Sequence, residues 1–228
     1  MHDPNEATQI AYWNAVADAH DCTLEPPLEL LSPYLPKDAK ILDFGCGYGR
    51  SLAALAALGF TDLTGFDPAP AMLERGRRAH PGLDLRLLAS PGLPVPDASC
   101  DAVLLIAVLT AVADDAGQRR LIAEARRVLK DGGILFVCDF PLQDDARNRA
   151  RYDTFAAKYG RYGVFEVEGG GVMRHNDETW LDELTGAFTR LESRRFNART
   201  LYGHRARVFC CLLRKPVGRP LDSPHPDE

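Results

Sequence analysis

No uninterrupted apolar run in this 228-residue chain reaches the roughly 20 positions a helix needs to cross a bilayer. The N-terminal Met-His-Asp-Pro-Asn-Glu lacks the basic flank and apolar centre of a secretory leader. Cysteine is sparse: six residues, at positions 22, 46, 100, 138, 210 and 211, with no C-x-x-C pair and no metal-ligand spacing. That pattern leads us to expect reduced thiols, most of them small core residues, no metal, and a cytoplasmic protein. Positive charge is not in excess either. The net charge is −5, and residues 1–140 hold 12 Lys+Arg against 19 Asp+Glu, while 141–228 hold 15 against 13. Such a balance offers no continuous track for phosphates, so neither nucleic acid nor a membrane is an expected partner. Hydrophobic residues at 46% and charged residues at 26% are ordinary for a globular chain, and the length suits one large domain.

What is present centres on Lys40-Ile-Leu-Asp-Phe-Gly-Cys-Gly-Tyr-Gly-Arg50. A short apolar run carrying one acid, Asp43, breaks into glycines at 45, 47 and 49, and a helical run follows over 51–58. Strand, glycine turn and helix bring backbone close to a nucleotide-like ligand, because a residue without Cβ permits both the tight turn and the approach. A dinucleotide fingerprint of the form G-x-G-x-x-G needs glycine at position 50, where this chain has arginine. That disfavours an NAD-dependent oxidoreductase. Asp67 ends the next strand, 22 residues beyond Gly45, where an ionised carboxylate can accept from a ribose diol. It also precedes Pro68 and a helical run over 69–79, so a helix-capping role fits the same position.

The remaining pattern supplies helices over 6–20 and 28–35, strands over 84–88 and 102–108, a helix over 116–129 and a strand over 134–139. Asp114 and Asp115 stand where acids favour a helix N-terminus, and glycine after 124–131 reads as a helix end. A helix over 143–159 and a hairpin turning at 169–171 follow, then a helix over 178–188 and an antiparallel pair over 189–201 and 204–214. The order β-α-β-α-β-β-α-β, insertion, α-β-β predicts an α/β, doubly wound, mostly parallel sheet with a hairpin at its end.

Gly45-Cys-Gly-Tyr-Gly49 after Asp43, Leu93-Pro94 with 97–101, and Glu124-Ala-Arg-Arg-Val-Leu-Lys-Asp-Gly-Gly133 resemble the motifs of class I S-adenosylmethionine-dependent methyltransferases, small-molecule type. The likeness runs over about residues 6–214. It implies a Rossmann-like, seven-stranded sheet with an antiparallel last strand, and S-adenosylmethionine as cofactor with S-adenosylhomocysteine as product. It also implies methyl transfer to an N, O or S nucleophile of a small molecule. Carried over position by position, it puts the cofactor against Tyr12, Asp43, Gly45, Cys46, Gly47, Gly49, Asp67, Pro68, Met72, Ala89, Ser90 and Ile106. Ala89 departs from the acid that family members commonly present to adenine, and Ser90 beside it is the substitute. No Asn/Asp-Pro-Pro-Tyr follows the fourth strand, against a base amino-methyltransferase. A non-catalytic cofactor-binding subunit and an RNA or protein methyltransferase stay open as alternatives.

The domain is expected over 1–214, with a helical cap over 1–35, a lid over 141–176 that selects substrate, and a loose tail over 215–228. The aromatics at 152, 155, 159, 162 and 165 read either as the small core of that lid or as its ligand surface. If the acceptor arrives protonated, the candidate bases are His175 and His204, with Tyr162 behind them.

Overall fold

The computed structural model describes residues 4–21, 23–90 and 92–218; the 219–228 part of the expected tail lies outside them. Helix α1 (Pro4–Val16) and a 3-10 turn (Leu28–Leu31) precede a regular alternation. This runs β1 (Lys40–Phe44), α2 (Arg50–Ala57), β2 (Asp62–Asp67), α3 (Pro70–Ala79), β3 (Asp84–Leu87), β4 (Cys100–Ile106), α4 (Asp115–Val128) and β5 (Leu129–Asp139). An excursion of α5 (Ala146–Tyr159), β6 (Val164–Glu166) and β7 (Val172–Arg174) then leads to α6 (Glu178–Thr185), β8 (Thr189–Arg199) and β9 (Arg205–Arg214). Seven strands lie in the order β3-β2-β1-β4-β5-β9-β8, with β6 and β7 forming a separate pair. Only β9 runs against its neighbours, pairing antiparallel with both β5 and β8. The doubly wound, mostly parallel sheet expected from the element order is therefore the observed one.

Alternation along each strand builds the two faces. Ile41, Ala102, Leu104, Ile134, Phe136 and Cys138 join Leu52, Leu55 and Leu73 on one side. Leu42, Phe44, Val103, Leu105, Leu135 and Val137 meet Ile122, Ala125, Val128, Trp180 and Leu184 on the other. Aspartates cap three of the helices: Asp114, Asp145 and Asp177 accept from the backbone N–H groups of Gly117, Asn148 and Trp180. Helix α3 has no side-chain cap of its own. Its Ala71 N–H donates instead to Asn14 Oδ1 of α1, at 2.9 Å.

Three expectations need correction. Glycine does not close α4: the helix ends at Val128, and Arg127 and Val128 give their carbonyls to Ala98 and Ser99 N–H. Gly132, at φ +78°, instead bends the start of β5, where its N–H meets the Lys215 carbonyl. The region 28–35 forms only a short 3-10 turn over its first half. The thiols are not all reduced, because Cys138 and Cys210 face each other across β5 and β9 and are bonded. That removes the redox part of the argument for the cytoplasm. Cys46 and Cys100 are free and buried as expected.

The 93–101 and 124–133 motifs turn out to hold each other. Arg127 donates to the carbonyls of Leu93 and Val95 and to Asp97, while Glu124 accepts from Leu93 N–H at 2.6 Å. Gly65, in the middle of β2, is required by packing. A Cβ there would stand 2.7 Å from Cys46 Sγ and 2.8 Å from Leu52 Cδ1. Gly65→Ala is expected to cost about 1–3 kcal/mol as overpacking. Urea denaturation checks this, and an unchanged midpoint would contradict it.

Candidate functional site

The chain leaves β1 at Phe44 and turns across the end of β2. Gly45 and Cys46 N–H both donate to the Phe66 carbonyl, at 2.8 and 3.0 Å. Gly45, Gly47 and Gly49 have φ of +85°, +54° and +83°, so the turn needs residues at ease in the left-handed region. At Gly45 a Cβ would also lie 2.7 Å from Val108 Cγ2, whereas none of the surrounding protein comes within 4 Å of a Cβ at Gly47. The turn thus packs tightly on one side and faces open space at its centre. Arg50, the residue that breaks the dinucleotide spacing, has a structural use: its Nη2 donates to the Leu24 carbonyl at 2.7 Å.

Two carboxylates flank the turn. Asp67 is not the capping residue of α3; it accepts from Gly47 N–H with Oδ2 and from Ala69 N–H with Oδ1, both at 2.8 Å. Burial outweighs these two bonds and raises its pKa to about 6. Asp43 is fully enclosed, and its Oδ1 has no hydrogen-bond partner. Burial first and the Asp67 charge second push Asp43 up to about 7. The same two causes, with Asp43 itself, drive the Cys46 thiol upward. The electrostatic environment beside the open centre of the turn is therefore negative. It favours a ligand with positive charge and disfavours a pyrophosphate.

Helix α1 covers this site. Tyr12 is buried with Tyr48, Ala69 and Met72 in one cluster, which continues into Tyr152, Phe165 and Met173 of the excursion. The Tyr12 ring lies against the glycine turn at 169–171, and its hydroxyl is 2.8 Å from that of Tyr202 on the β8–β9 turn. Gln9 exchanges hydrogen bonds with the backbone of Val172 and donates to the Ala111 carbonyl. Tyr12, Asp43, Gly45, Cys46, Gly47, Gly49, Asp67 and Met72 are thus gathered at the ends of β1 and β2. Pro68 and Ile106 are half-buried at the ends of β2 and β4. Ala89 and Ser90 are exposed, and the Ser90 hydroxyl donates to the Gly92 carbonyl.

The three candidate bases differ in burial. His175 is 4% exposed, stacked on Phe140, with its Nδ1 2.5 Å from the Tyr152 hydroxyl. Burial, then the charges of Arg151 and Arg147, lower its pKa to about 3, so it is neutral at pH 7. Tyr162 is 46% exposed, its ring edge-on to Tyr152 at 5.2 Å. His204 is exposed on the β8–β9 turn.

Sequence reasoning missed the fastening of the excursion. Asp115 binds Arg161 and, at 2.7 Å, Arg174, whose guanidinium also reaches the Ala113 carbonyl. Arg174 is 1% exposed while the Asp115 side chain is 36% exposed, so the pair ties an interior arginine to a carboxylate that still meets solvent. Asp139, at the end of β5, is another buried acid, accepting from Thr110 and Phe140 N–H and raised to about 7 by burial.

A carboxyl that holds its proton more tightly when folded gives stability that is complete below pH 3.8 and lost as pH rises through about 7. Without ligand, Asp43→Asn is therefore expected to match the parent near pH 4 and exceed it at pH 8. The gain is roughly 2–4 kcal/mol, at about 1.4 kcal/mol per pKa unit. Denaturant titrations at the two pH values check it; equal stability at pH 8 would refute the assignment.

Residues 42–137 match a family described as a methyltransferase domain. Over 104 residues the chain is 38% identical to a demethylmenaquinone methyltransferase of Tropheryma whipplei, covering 44% of this chain and 41% of that protein. A ubiquinone/menaquinone biosynthesis C-methyltransferase of Campylobacter jejuni is 27% identical over 117 residues, 49% of this chain and 48% of the relative. The chain thus spans less than half the length of these curated relatives. A solved S-adenosylmethionine-dependent methyltransferase from Methanosarcina mazei superposes with a TM-score of 0.77 at 25% identity, over 86% of this chain and 99% of that one. The motifs, the strand order and these likenesses agree on the fold of class I S-adenosylmethionine-dependent methyltransferases, with a methyltransferase domain matched over residues 42–137.

Proposed function

We propose that the protein transfers a methyl group from S-adenosylmethionine to a nucleophilic atom of a small molecule. The observation that carries this reading is the pair Asp43 and Asp67 beside the open centre of the glycine turn, a negative site suited to a cationic cofactor. S-adenosylmethionine when bound supplies a methyl group already activated by its sulfonium. The protein's tasks are then to hold the donor, exclude water and align the acceptor. Asp67 is the residue for the ribose hydroxyls, since each of its oxygens keeps accepting capacity beyond its one backbone bond. Asp43, with an oxygen lacking any partner, answers positive charge near the turn. Tyr12, Tyr48 and Met72 wall off solvent.

The excursion over 141–176 acts in this proposal as the lid that chooses the acceptor. Among the described residues, every buried side-chain polar atom without a partner belongs either to Asp43 or to Asn148, Arg151, Arg174 and Asn176 in that segment. Buried polar groups are ordinarily paired, so the two places that depart from this rule are where polar ligands are expected. His175, neutral and weakly basic, fixes the Tyr152 hydroxyl rather than drawing a proton from the acceptor. Tyr162 and His204 sit where protons can exchange with solvent. The acceptor atom is N, O or S, and we add carbon because the Campylobacter relative is named a C-methyltransferase.

Calorimetric titration with S-adenosylmethionine, S-adenosylhomocysteine and NAD tests the reading. The first two are expected to bind and NAD to fail; the reverse would overturn it. Asp67→Ala is expected to weaken S-adenosylmethionine about tenfold or more, on the order of 1.4 kcal/mol for one charge-assisted contact. Unchanged affinity would remove Asp67 from the site.

A further inference from the structure

Arg151 of α5 is placed differently from Arg161 and Arg174, the ion-paired arginines of the excursion. Arg161 and Arg174 are both paired with Asp115, and Arg207 across the way is paired with Asp144. Arg151 forms no ion pair among the described residues, and its Nε is enclosed without an acceptor. Its guanidinium carbon stands 3.4 Å from the centroid of the Phe165 ring. Stacking occupies one face of the guanidinium, and the Tyr152 hydroxyl meets part of its N–H edge; the remaining terminal N–H groups are left for a partner. A carboxylate fits that edge with two parallel hydrogen bonds. Asp145, whose charge reaches Arg151, is already engaged by the backbone and side chain of Asn148. Arg147 adds a second positive charge; burial first, and then these two arginines against the opposing charge of Asp145, lower His175 and His204. This corner is thus electropositive in a chain of net charge −5.

The surroundings of Arg151 are flat and aromatic. Phe165 meets His175 at 4.9 Å, Tyr152 bonds to His175, and Phe140 stacks on His175 at 5.7 Å. The same Phe165 and Tyr152 belong to the cluster that includes Tyr48, Ala69 and Met72 beside the glycine turn.

We propose that Arg151, supported by Arg147, binds a carboxylate on an aromatic acceptor, so that the protein's substrates are small aromatic acids. The word acceptor rests on the methyl-transfer reading; the carboxylate site does not. The test is calorimetry on the full chain, with and without S-adenosylhomocysteine, using benzoate, benzamide and inorganic phosphate as probes. Benzoate is expected to bind, with benzamide and phosphate each at least about tenfold weaker. Arg151→Met, which keeps the aliphatic stem on Phe165, is expected to lose about tenfold or more for benzoate with S-adenosylhomocysteine affinity unchanged. Arg119→Met, at a distant surface pair with Glu183, is expected to change neither. If Arg151→Met does not fold, the exposed Arg147→Met decides, with an expected loss of about threefold or more. Absent benzoate binding, equal binding of benzamide or phosphate, or arginine variants that bind benzoate as the parent does would each overturn the proposal. Benzoate binding without any S-adenosylhomocysteine binding would leave the carboxylate site standing and sink the methyl-transfer reading.

Discussion

The carbonyl of Phe66 is the point from which the functional end of the molecule hangs. It receives both Gly45 and Cys46 N–H, and one residue later Asp67 receives Gly47 and Ala69 N–H. A parallel pair, β1 and β2, therefore ends in a shared knot of backbone, and the turn cannot drift relative to the second strand. Gly65 must lack a side chain so that Cys46 can sit beneath the turn, and Gly45 must lack one to clear Val108. The cost of this compactness is two acids drawn into the interior with raised pKa values. Burial of Asp43 lowers the stability of the ligand-free protein at neutral pH while leaving a carboxylate ready for positive charge, a conflict common to binding sites.

Around that knot the protein is closed by long-range ties rather than by one large interface. Asn14 caps α3, Gln9 grips both Val172 and the segment after β4, and Tyr12 meets Tyr202. Asp115 then fastens two arginines of the excursion to the start of α4. Each tie couples a covering element to a residue at the carboxyl edge of the sheet, where ligands of open α/β folds bind. The unpartnered polar atoms of Asn148, Arg151, Arg174 and Asn176 lie inside the segment so fastened. Among the described residues no helix is long and apolar enough to cross a membrane.

The element order and the glycine turn were legible because they are local. Alternating apolar residues, three glycines at alternate positions and an acid 22 residues on are fixed by spacing alone. The 93–101 and 124–133 motifs were visible as patterns, but their reason, Arg127 and Glu124 gripping the 93–97 segment, is a contact across some 30 positions. Asp115, Gln9 and Arg151 were not legible. Among 27 basic and 32 acidic residues nothing in the order says which pairs meet and which arginine has an enclosed Nε without an acceptor. The Cys138–Cys210 bond depended on the register of β5 against β9, which no spacing reveals. Gly132 was misread because a glycine after a helical run caps helices and bends strands equally well. Of the candidate bases, His175 is the buried one, hydrogen-bonded to Tyr152, and burial is the largest cause of its lowered pKa.

The central claim is that buried carboxylates at the turn select a cationic cofactor, and proton release tests it most directly. With Asp43 near pH 7 at its midpoint, a bound cation should draw its proton off. Calorimetry of S-adenosylmethionine binding at pH 7 in two buffers of different ionisation enthalpy should show release of roughly half a proton per protein molecule, lost in Asp43→Asn. Binding of S-adenosylmethionine with no proton released, or with the same release in Asp43→Asn, would contradict the account.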